Sequence, residues 1–158
     1  MNNENHGPKV KIKPPLAYVS MAIIGILIQL FFEFQLSIPM GLRVLIGFVI
    51  ISISGIIQLS SLKVFKNDGR KPTPHLESKN LFISGPYRFM RNPMYVSAFL
   101  LQFGIGIIIN ILWVTVFAFA GLAIVHFLAV LPEEEYLKSK FGESYLNYMQ
   151  NVRRYALF

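Results

Sequence analysis

The chain has 158 residues, of which 54% are hydrophobic and 15% charged, and its formal net charge is +7. Soluble domains carry about 25% charged residues, so this composition excludes an ordinary soluble protein, and the length allows about one domain. There is no cysteine, which excludes disulfides and thiolate metal sites. The basic residues flank long apolar runs, so we expect no nucleic-acid partner, and the three histidines lack metal-ligand spacing.

Two apolar segments in the first half of the chain predict two membrane-spanning helices. They contain 17 and 19 consecutive uncharged residues. A spanning helix needs about 20 mainly apolar residues, with a range of about 17–25. We therefore predict spans over residues 16–34 and 43–62. The first is too long for a signal peptide and lacks a cleavage site, so we expect it to remain as a helix.

An uncharged block of 38 residues, 94–131, follows in the second half. It is too long for one span and just long enough for two short ones. Gly104, Gly106 and Asn110 are residues that favour a turn. The block therefore predicts a tight hairpin, and its two arms are residues 94–109 and 111–131.

The basic residues predict how these four helices are oriented. All but one of the 15 lysines and arginines precede the first helix, follow the fourth, or lie between the second and third; the exception is Arg43. Basic loops stay on the cytoplasmic side of a membrane. The predicted fold is an all-α integral membrane protein of four transmembrane helices, forming a single membrane domain over residues 1–158 with both termini cytoplasmic.

Two further segments are predicted on the cytoplasmic face. Residues 63–93 contain too much glycine and proline for a continuous helix and predict a loop. Residues 132–158 predict an amphipathic helix, because Leu137, Phe141 and Tyr145 begin an apolar series at helical spacing. Three glutamates fill its first turn, where acidic side chains suit the helix dipole.

The sequence GPYRFMRNPMY, residues 85–95, has the signals of a turn followed by a helix start. Asn92 is a good N-cap and Pro93 a good first helical residue. A well-formed helix entry explains these residues without any ligand. A helix N-terminus also presents free backbone N–H groups that can hold an anion, and Tyr87 and Tyr95 could add aromatic walls.

Other polar residues near this face also have two interpretations. The glutamates at 133–135 could be a solvated first turn, or one carboxylate could turn inward to bind hydroxyls or an amino group. Arg153 and Arg154 are typical of contacts with lipid phosphates rather than of catalysis. His126, inside an apolar run, is either a functional residue or a neutral histidine bonded to a neighbouring helix.

Three sequence elements, taken in order, resemble one family of integral-membrane methyltransferases, which includes isoprenylcysteine carboxyl methyltransferase and the phospholipid N-methyltransferases. The first is DGRKPTPHLESKNLFISGPYRFMRNPMY at 68–95, similar to the family's loop ending in G-x-Y and then R-H-P-x-Y. The second is the apolar hairpin. The third is EEEYLKSKFGESYLNYMQNVRRY at 133–155, similar to E-E-x-x-L, F-G-x-x-Y-x-x-Y and V-x-R. The resemblance runs from about Phe65 to Tyr155.

The resemblance implies S-adenosylmethionine as the cofactor, bound at the cytoplasmic face without a Rossmann domain. The implied cofactor-binding residues are those that match the family's motifs: Lys79, Asn80, Leu81, Phe82, Tyr87, Asn92, Pro93, Met94, Tyr95 and Glu133. No catalytic residue is assigned, and the candidates are Glu134 and Arg154. No metal is expected.

Two positions depart from the family's pattern. Asn92 stands in place of the histidine of R-H-P, but asparagine can still donate a hydrogen bond and cap the helix. Ala129 stands in place of an arginine that contacts the substrate in the isoprenylcysteine enzymes. The second departure weakens the case for a prenylcysteine carboxylate as the acceptor.

The sequence therefore favours an S-adenosylmethionine-dependent methyltransferase that acts on a lipophilic carboxylate or amine at the cytoplasmic face, similar to the isoprenylcysteine carboxyl O-methyltransferases. Its partners would be the membrane and a lipid or lipophilic small molecule. The expected location is a prokaryotic plasma (inner) membrane, which the chain crosses several times. Two alternatives stay open: an NAD(P)H-dependent membrane reductase of similar scaffold, and a non-enzymatic membrane scaffold.

Overall fold

The computed structural model describes residues 7–67 and 80–155, and the regular structure within these ranges is helical. The α-helices are α1 (Pro14–Phe31), α2 (Met40–Asn67), α3 (Pro93–Ile108), α4 (Leu112–Val125), α5 (Leu131–Phe141) and α6 (Glu143–Asn151). A 3₁₀ turn, Gly85–Arg88, precedes α3. A π-helical turn, His126–Val130, joins α4 to α5, so these three elements form one continuous helix.

Three of these helices are long and apolar enough to cross a membrane: Pro14–Phe31, Met40–Asn67 and Leu112–Phe141. The fourth apolar helix, α3, has only 16 residues. The predicted all-helical, multi-pass membrane protein is therefore confirmed, with three candidate spans. The fourth crossing, by α3, and the cytoplasmic orientation of the termini stay predictions.

The four apolar helices pack in the spatial order α1, α4, α3, α2. Small residues bring neighbouring backbones close together: a Cβ atom added to Gly47 of α2 would lie 2.8 Å from the carbonyl oxygen of Gly104 in α3. A Cβ atom on Gly106 would lie 2.7 Å from the backbone nitrogen of Thr115 in α4. Close backbone approach of this kind stabilises helix pairs in lipid, where apolar burial between helices contributes little.

The turn of the predicted hairpin lies at Asn110 alone, which has a positive φ of 57°. The expectation that Gly104 and Gly106 also mark this turn is wrong, since both lie inside α3. Their lack of a side chain serves helix packing instead. The side-chain oxygen of Asn110 accepts a hydrogen bond from the backbone nitrogen of Leu36 at 2.9 Å, which ties the hairpin turn to the α1–α2 connection.

The C-terminal segment is not the single amphipathic helix that its periodicity predicts. Gly142 separates α5 from α6 with φ 52° and ψ −127°, a backbone conformation that glycine adopts without a steric penalty. Because the chain turns there, α6 takes a new direction, and Tyr145 becomes fully buried. The residues that follow reach the start of α3, where the backbone nitrogen of Arg91 donates to the carbonyl oxygen of Arg153 at 2.9 Å.

One end of the bundle gathers the start of α1, the start of α3 and the region around the π-helical turn. The backbone nitrogen of Lys11 donates to the carbonyl oxygen of Leu128 at 2.9 Å. The hydroxyl of Tyr18 in α1 donates to the carbonyl oxygen of Tyr95 in α3 at 3.0 Å. The sequence-predicted site residues that the structure describes lie at this end.

Candidate active site

An aromatic cluster forms where the end of α2 meets the loop that precedes α3. The ring centroids of Phe65 and Phe82 are 4.6 Å apart, and those of Phe65 and Tyr87 are 6.1 Å apart. Tyr87 lies in the 3₁₀ turn, which the positive φ of Gly85 begins. The hydroxyl of Tyr148 in α6 donates to the carbonyl oxygen of Tyr87 at 2.6 Å. The turn is therefore held from both sides, by α2 and by α6.

Glu133 faces this cluster from the start of α5. Its Oε2 atom accepts a hydrogen bond of 2.8 Å from the hydroxyl of Tyr95, in the first turn of α3. Burial, and after it the nearby Glu133 carboxylate, raise the pKa of Tyr87 above its ordinary value. The carboxylate thus bonds to one tyrosine and acts electrostatically on another, in a different element. Within residues 7–67 and 80–155, no lysine or arginine forms an ion pair with it.

Glu134, the next residue, has the opposite environment. It is 3% exposed and lies between two guanidinium groups. Arg91 donates from Nε and Nη2 to Oε1 at 3.2 and 3.0 Å. Arg154 donates from Nε to Oε1 at 3.0 Å and from Nη2 to Oε2 at 2.7 Å. Hydrogen bonding to Glu134 raises the pKa of Arg154. We call these three residues the Arg91–Glu134–Arg154 cluster, and its net charge is +1.

Arg91 also binds the C-terminal segment directly. Its Nη1 atom donates to the carbonyl oxygen of Val152 at 2.6 Å and to that of Met149 at 3.3 Å. Sequence reasoning assigned no role to Arg91, although it is the arginine of the R-x-P motif and so was visible in the sequence. Only the fold shows that this arginine connects the start of α3 to α5 and to the end of α6.

The residues at the start of α3 follow the sequence prediction in part. Pro93 is the first residue of the helix, as predicted, and it is fully buried. Asn92 is the N-cap residue, but its side-chain oxygen does not accept the hydrogen bond from the helix backbone that an N-cap predicts. The side-chain amide of Asn92 instead donates to the carbonyl oxygen of Arg154 at 3.4 Å, because the C-terminal segment lies within its reach.

The remaining predicted residues that the structure describes lie in the loop before α3 or in the first turn of α3. Phe82 joins the aromatic cluster, and Asn80 and Leu81 precede it in the loop. Met94 lies between Pro93 and Tyr95 in the first turn of α3. Lys79 lies outside the described residues.

Two residues of the π-helical turn have roles that the structure makes plain. Ala129, at the position of the family's substrate-contacting arginine, is completely buried in an apolar cluster with Val10 and Tyr18. His126 bonds to the C-terminal segment, with its Nδ1 atom 2.9 Å from the hydroxyl of Tyr155. In the described part of the chain, no group of three metal-ligating side chains comes together.

The long apolar helices define a multi-pass integral membrane protein, and its polar side chains gather at one end of the bundle. A family model described as phospholipid methyltransferase matches residues 42–144, from the start of α2 into α6. This is about two thirds of the chain, and the chain belongs to the phospholipid methyltransferase family, which is grouped with the isoprenylcysteine-type membrane methyltransferases. Membership supports S-adenosylmethionine-dependent methyl transfer to a lipid acceptor. A search of curated proteins gives no significant match.

Proposed function

We propose that this protein transfers a methyl group from S-adenosylmethionine to a lipophilic carboxylate or amine at the cytoplasmic membrane face. The observation that carries the proposal is the contrast between two adjacent glutamates. Glu134 is neutralised by two arginines, whereas Glu133 has a tyrosine hydroxyl and no cation in the described chain. A secluded carboxylate without a cation is well suited to a ligand that brings its own positive charge or hydroxyl donors.

S-adenosylmethionine fits this donor set. It carries an α-amino group and ribose hydroxyls, which a carboxylate can bind, and a sulfonium that aromatic faces can stabilise by cation–π attraction. Glu133 would bind the amino group or the hydroxyls. Tyr95, which holds the Glu133 carboxylate at 2.8 Å, would fix its orientation. Phe65, Phe82 and Tyr87 would pack against the cofactor and exclude water.

The proposed cofactor-binding set keeps the residues that the family resemblance implies: Lys79, Asn80, Leu81, Phe82, Tyr87, Asn92, Pro93, Met94, Tyr95 and Glu133. Asn92 and Pro93 would act by fixing the start of α3, since Asn92 bonds to the C-terminal segment and Pro93 is buried. Glu134 and Arg154, the catalytic candidates, bond to each other. We therefore propose that they position Glu133 rather than contact the reacting atoms.

When bound, the cofactor supplies an already activated methyl group, so the protein's residues have mainly to align the acceptor and keep water away. A carboxylate acceptor needs no general base, and an amine must arrive neutral. Ala129 has an uncharged methyl side chain, and it is buried in the apolar cluster, so it offers no contact to a charged acceptor. The acceptor would enter from the bilayer between helices, while the cofactor enters from the side that carries most of the basic residues.

Cofactor binding to the purified protein in detergent tests this proposal. Calorimetry should show binding of S-adenosylmethionine and S-adenosylhomocysteine to the wild type. A ligand at about 100 times its dissociation constant stabilises by about 2.7 kcal/mol, which a thermal shift detects. Glu133→Gln should lower the affinity at least tenfold. The matched control is Glu135→Gln, in the same helical turn, where the side chain is exposed.

Three outcomes would contradict the proposal. Equal affinity in Glu133→Gln and Glu135→Gln would remove Glu133 from the site. Binding of NADPH without binding of S-adenosylmethionine would support the reductase. Binding of neither cofactor by a folded protein would support a non-enzymatic scaffold.

A further inference from the structure

An open groove of about 330 Å³ runs along the outer face of α4, next to the C-terminal segment. Its apolar part consists of one helix face, since Phe119, Leu122, Ala123 and Phe127 recur at helical spacing. Phe119 and Phe127 are 57% and 63% exposed. This face belongs to a candidate membrane span, so lipid surrounds it.

The other end of the groove is polar. His126 and Tyr155 line it and bond to each other, and Arg154 lies beside them. Arg154 is 32% exposed, and its Nε and Nη2 atoms bind Glu134. A guanidinium has five N–H donors, so these bonds leave donors on Nη1 free, and no residue of the described chain accepts from Nη1.

Within the described residues, the Arg91–Glu134–Arg154 cluster at this end carries an excess of positive charge. Arg91 and Arg154 together exceed Glu134 by one positive charge. Lys9, Lys11 and Lys13 add exposed positive charge nearby, because the backbone nitrogen of Lys11 bonds to Leu128 in the π-helical turn. Basic groups beside a membrane-spanning helix attract anionic lipid headgroups. The apolar part of the groove suits an acyl chain and its cationic end suits a phosphate group. Together they match one anionic lipid.

The depth of the groove agrees with such a ligand. His126 lies five residues before Leu131, where the apolar segment ends, and at 1.5 Å per residue this is about 7.5 Å along the helix. Phe119 lies a further seven residues along, or about 10 Å. The cationic end is therefore near the membrane interface, and the apolar part runs into the hydrocarbon.

We propose that this groove binds one anionic phospholipid of the bilayer, with its phosphate at Arg154 and an acyl chain along Phe119, Leu122, Ala123 and Phe127. The Nη1 donors of Arg154 face the phosphate. An anionic phospholipid such as phosphatidylglycerol carries neither a carboxylate nor an amine, so the bound lipid is distinct from the proposed methyl acceptor. It stabilises the C-terminal segment, which holds Glu134 and therefore the start of α5.

The test compares dioleoylphosphatidylglycerol with dioleoylphosphatidylcholine, which has the same chains and no net charge. In mixed micelles the anionic lipid should raise the melting temperature of the wild type by about 3 °C more than the zwitterionic one, a shift that corresponds to roughly 1 kcal/mol. Ala123→Phe fills the exposed apolar part without touching the cationic cluster, and it should abolish this difference. Val49→Phe, at an exposed position of α2 that does not line the groove, should retain it.

Native mass spectrometry of the wild type gives a second readout that needs no variant. One phosphatidylglycerol should be retained in competition with phosphatidylcholine, and its retention should fall as salt rises. Equal retention of phosphatidylethanolamine would overturn the charge selection. Equal melting temperatures in the two lipids, or a full difference in Ala123→Phe, would overturn the site. Neither readout involves S-adenosylmethionine, so failure here is distinct from failure of the proposed methyl transfer.

Discussion

Replacing Glu134 with alanine would leave the guanidinium groups of Arg91 and Arg154 facing each other without the carboxylate between them. Arg91 is 8% exposed, so its charge would be nearly as secluded as that of the lost partner. Breaking a buried ion pair by removing one partner costs about 3–5 kcal/mol. Arg154 is 32% exposed, and water would compensate part of its loss. We expect a destabilisation of about 3 kcal/mol, at the lower end of this range.

The assay is thermal unfolding of the detergent-purified protein. For a chain of this size, a change of 1 kcal/mol shifts the melting temperature by about 2–4 °C, so Glu134→Ala should lower it by roughly 6–12 °C. Glu135→Ala is the matched control, since it removes an exposed carboxylate from the adjacent position. We expect its effect to stay within about 0.5 kcal/mol.

A double-mutant cycle of Arg91→Ala with Glu134→Ala then measures the coupling free energy between these two side chains, apart from the effect of each substitution on its other contacts. Residues in one ion-pair network show coupling of about 0.5–3 kcal/mol. In the Glu134→Ala background, Arg91→Ala removes the uncompensated charge as well as the bonds to the carbonyl oxygens of Met149 and Val152, so it should cost less there than in the wild type. Additive effects in the cycle, or a melting temperature in Glu134→Ala that equals that of Glu135→Ala, would refute this account of the cluster.

Two further predictions concern the loop and the helix packing. Tyr148→Phe removes the 2.6 Å hydrogen bond to the carbonyl oxygen of Tyr87, which is worth about 1 kcal/mol. Calorimetry should then show S-adenosylmethionine binding weakened about fivefold. Unchanged affinity would mean that α6 does not position the loop. Gly47→Ala should lower the melting temperature, because the new Cβ atom would lie 2.8 Å from the carbonyl oxygen of Gly104. The control Gly55→Ala, with no atom within 4 Å of its Cβ position, should keep or raise it, and equal behaviour of the two variants would contradict the close packing of α2 and α3.

The sequence by itself determined the membrane helices and the set of residues to consider at the site. Long uncharged runs cannot be buried in a soluble protein of this size, so hydropathy alone predicts the apolar helices, and Asn110 at the hairpin turn was recognisable as a residue that tolerates positive φ. The motifs around Tyr87, Pro93 and Glu133 could be matched to a family because a motif consists of particular residue types at fixed spacing, and both can be read from the sequence. That match and the family model agree.

Only the tertiary structure shows that two adjacent glutamates have opposite environments. Charge and helix propensity do not distinguish Glu133 from Glu134, and in the sequence only the family resemblance separates them. In the fold they differ by about 100° around α5, so Glu133 meets Tyr95 and Glu134 meets Arg91 and Arg154. The roles of the glycines also depend on the fold. Gly104 allows a close contact between helices and Gly142 allows the chain to turn, although glycine has the same local propensity at both positions. Spacing along the chain fixes which residues share a helix face, whereas the partner that meets that face depends on contacts between segments far apart in sequence.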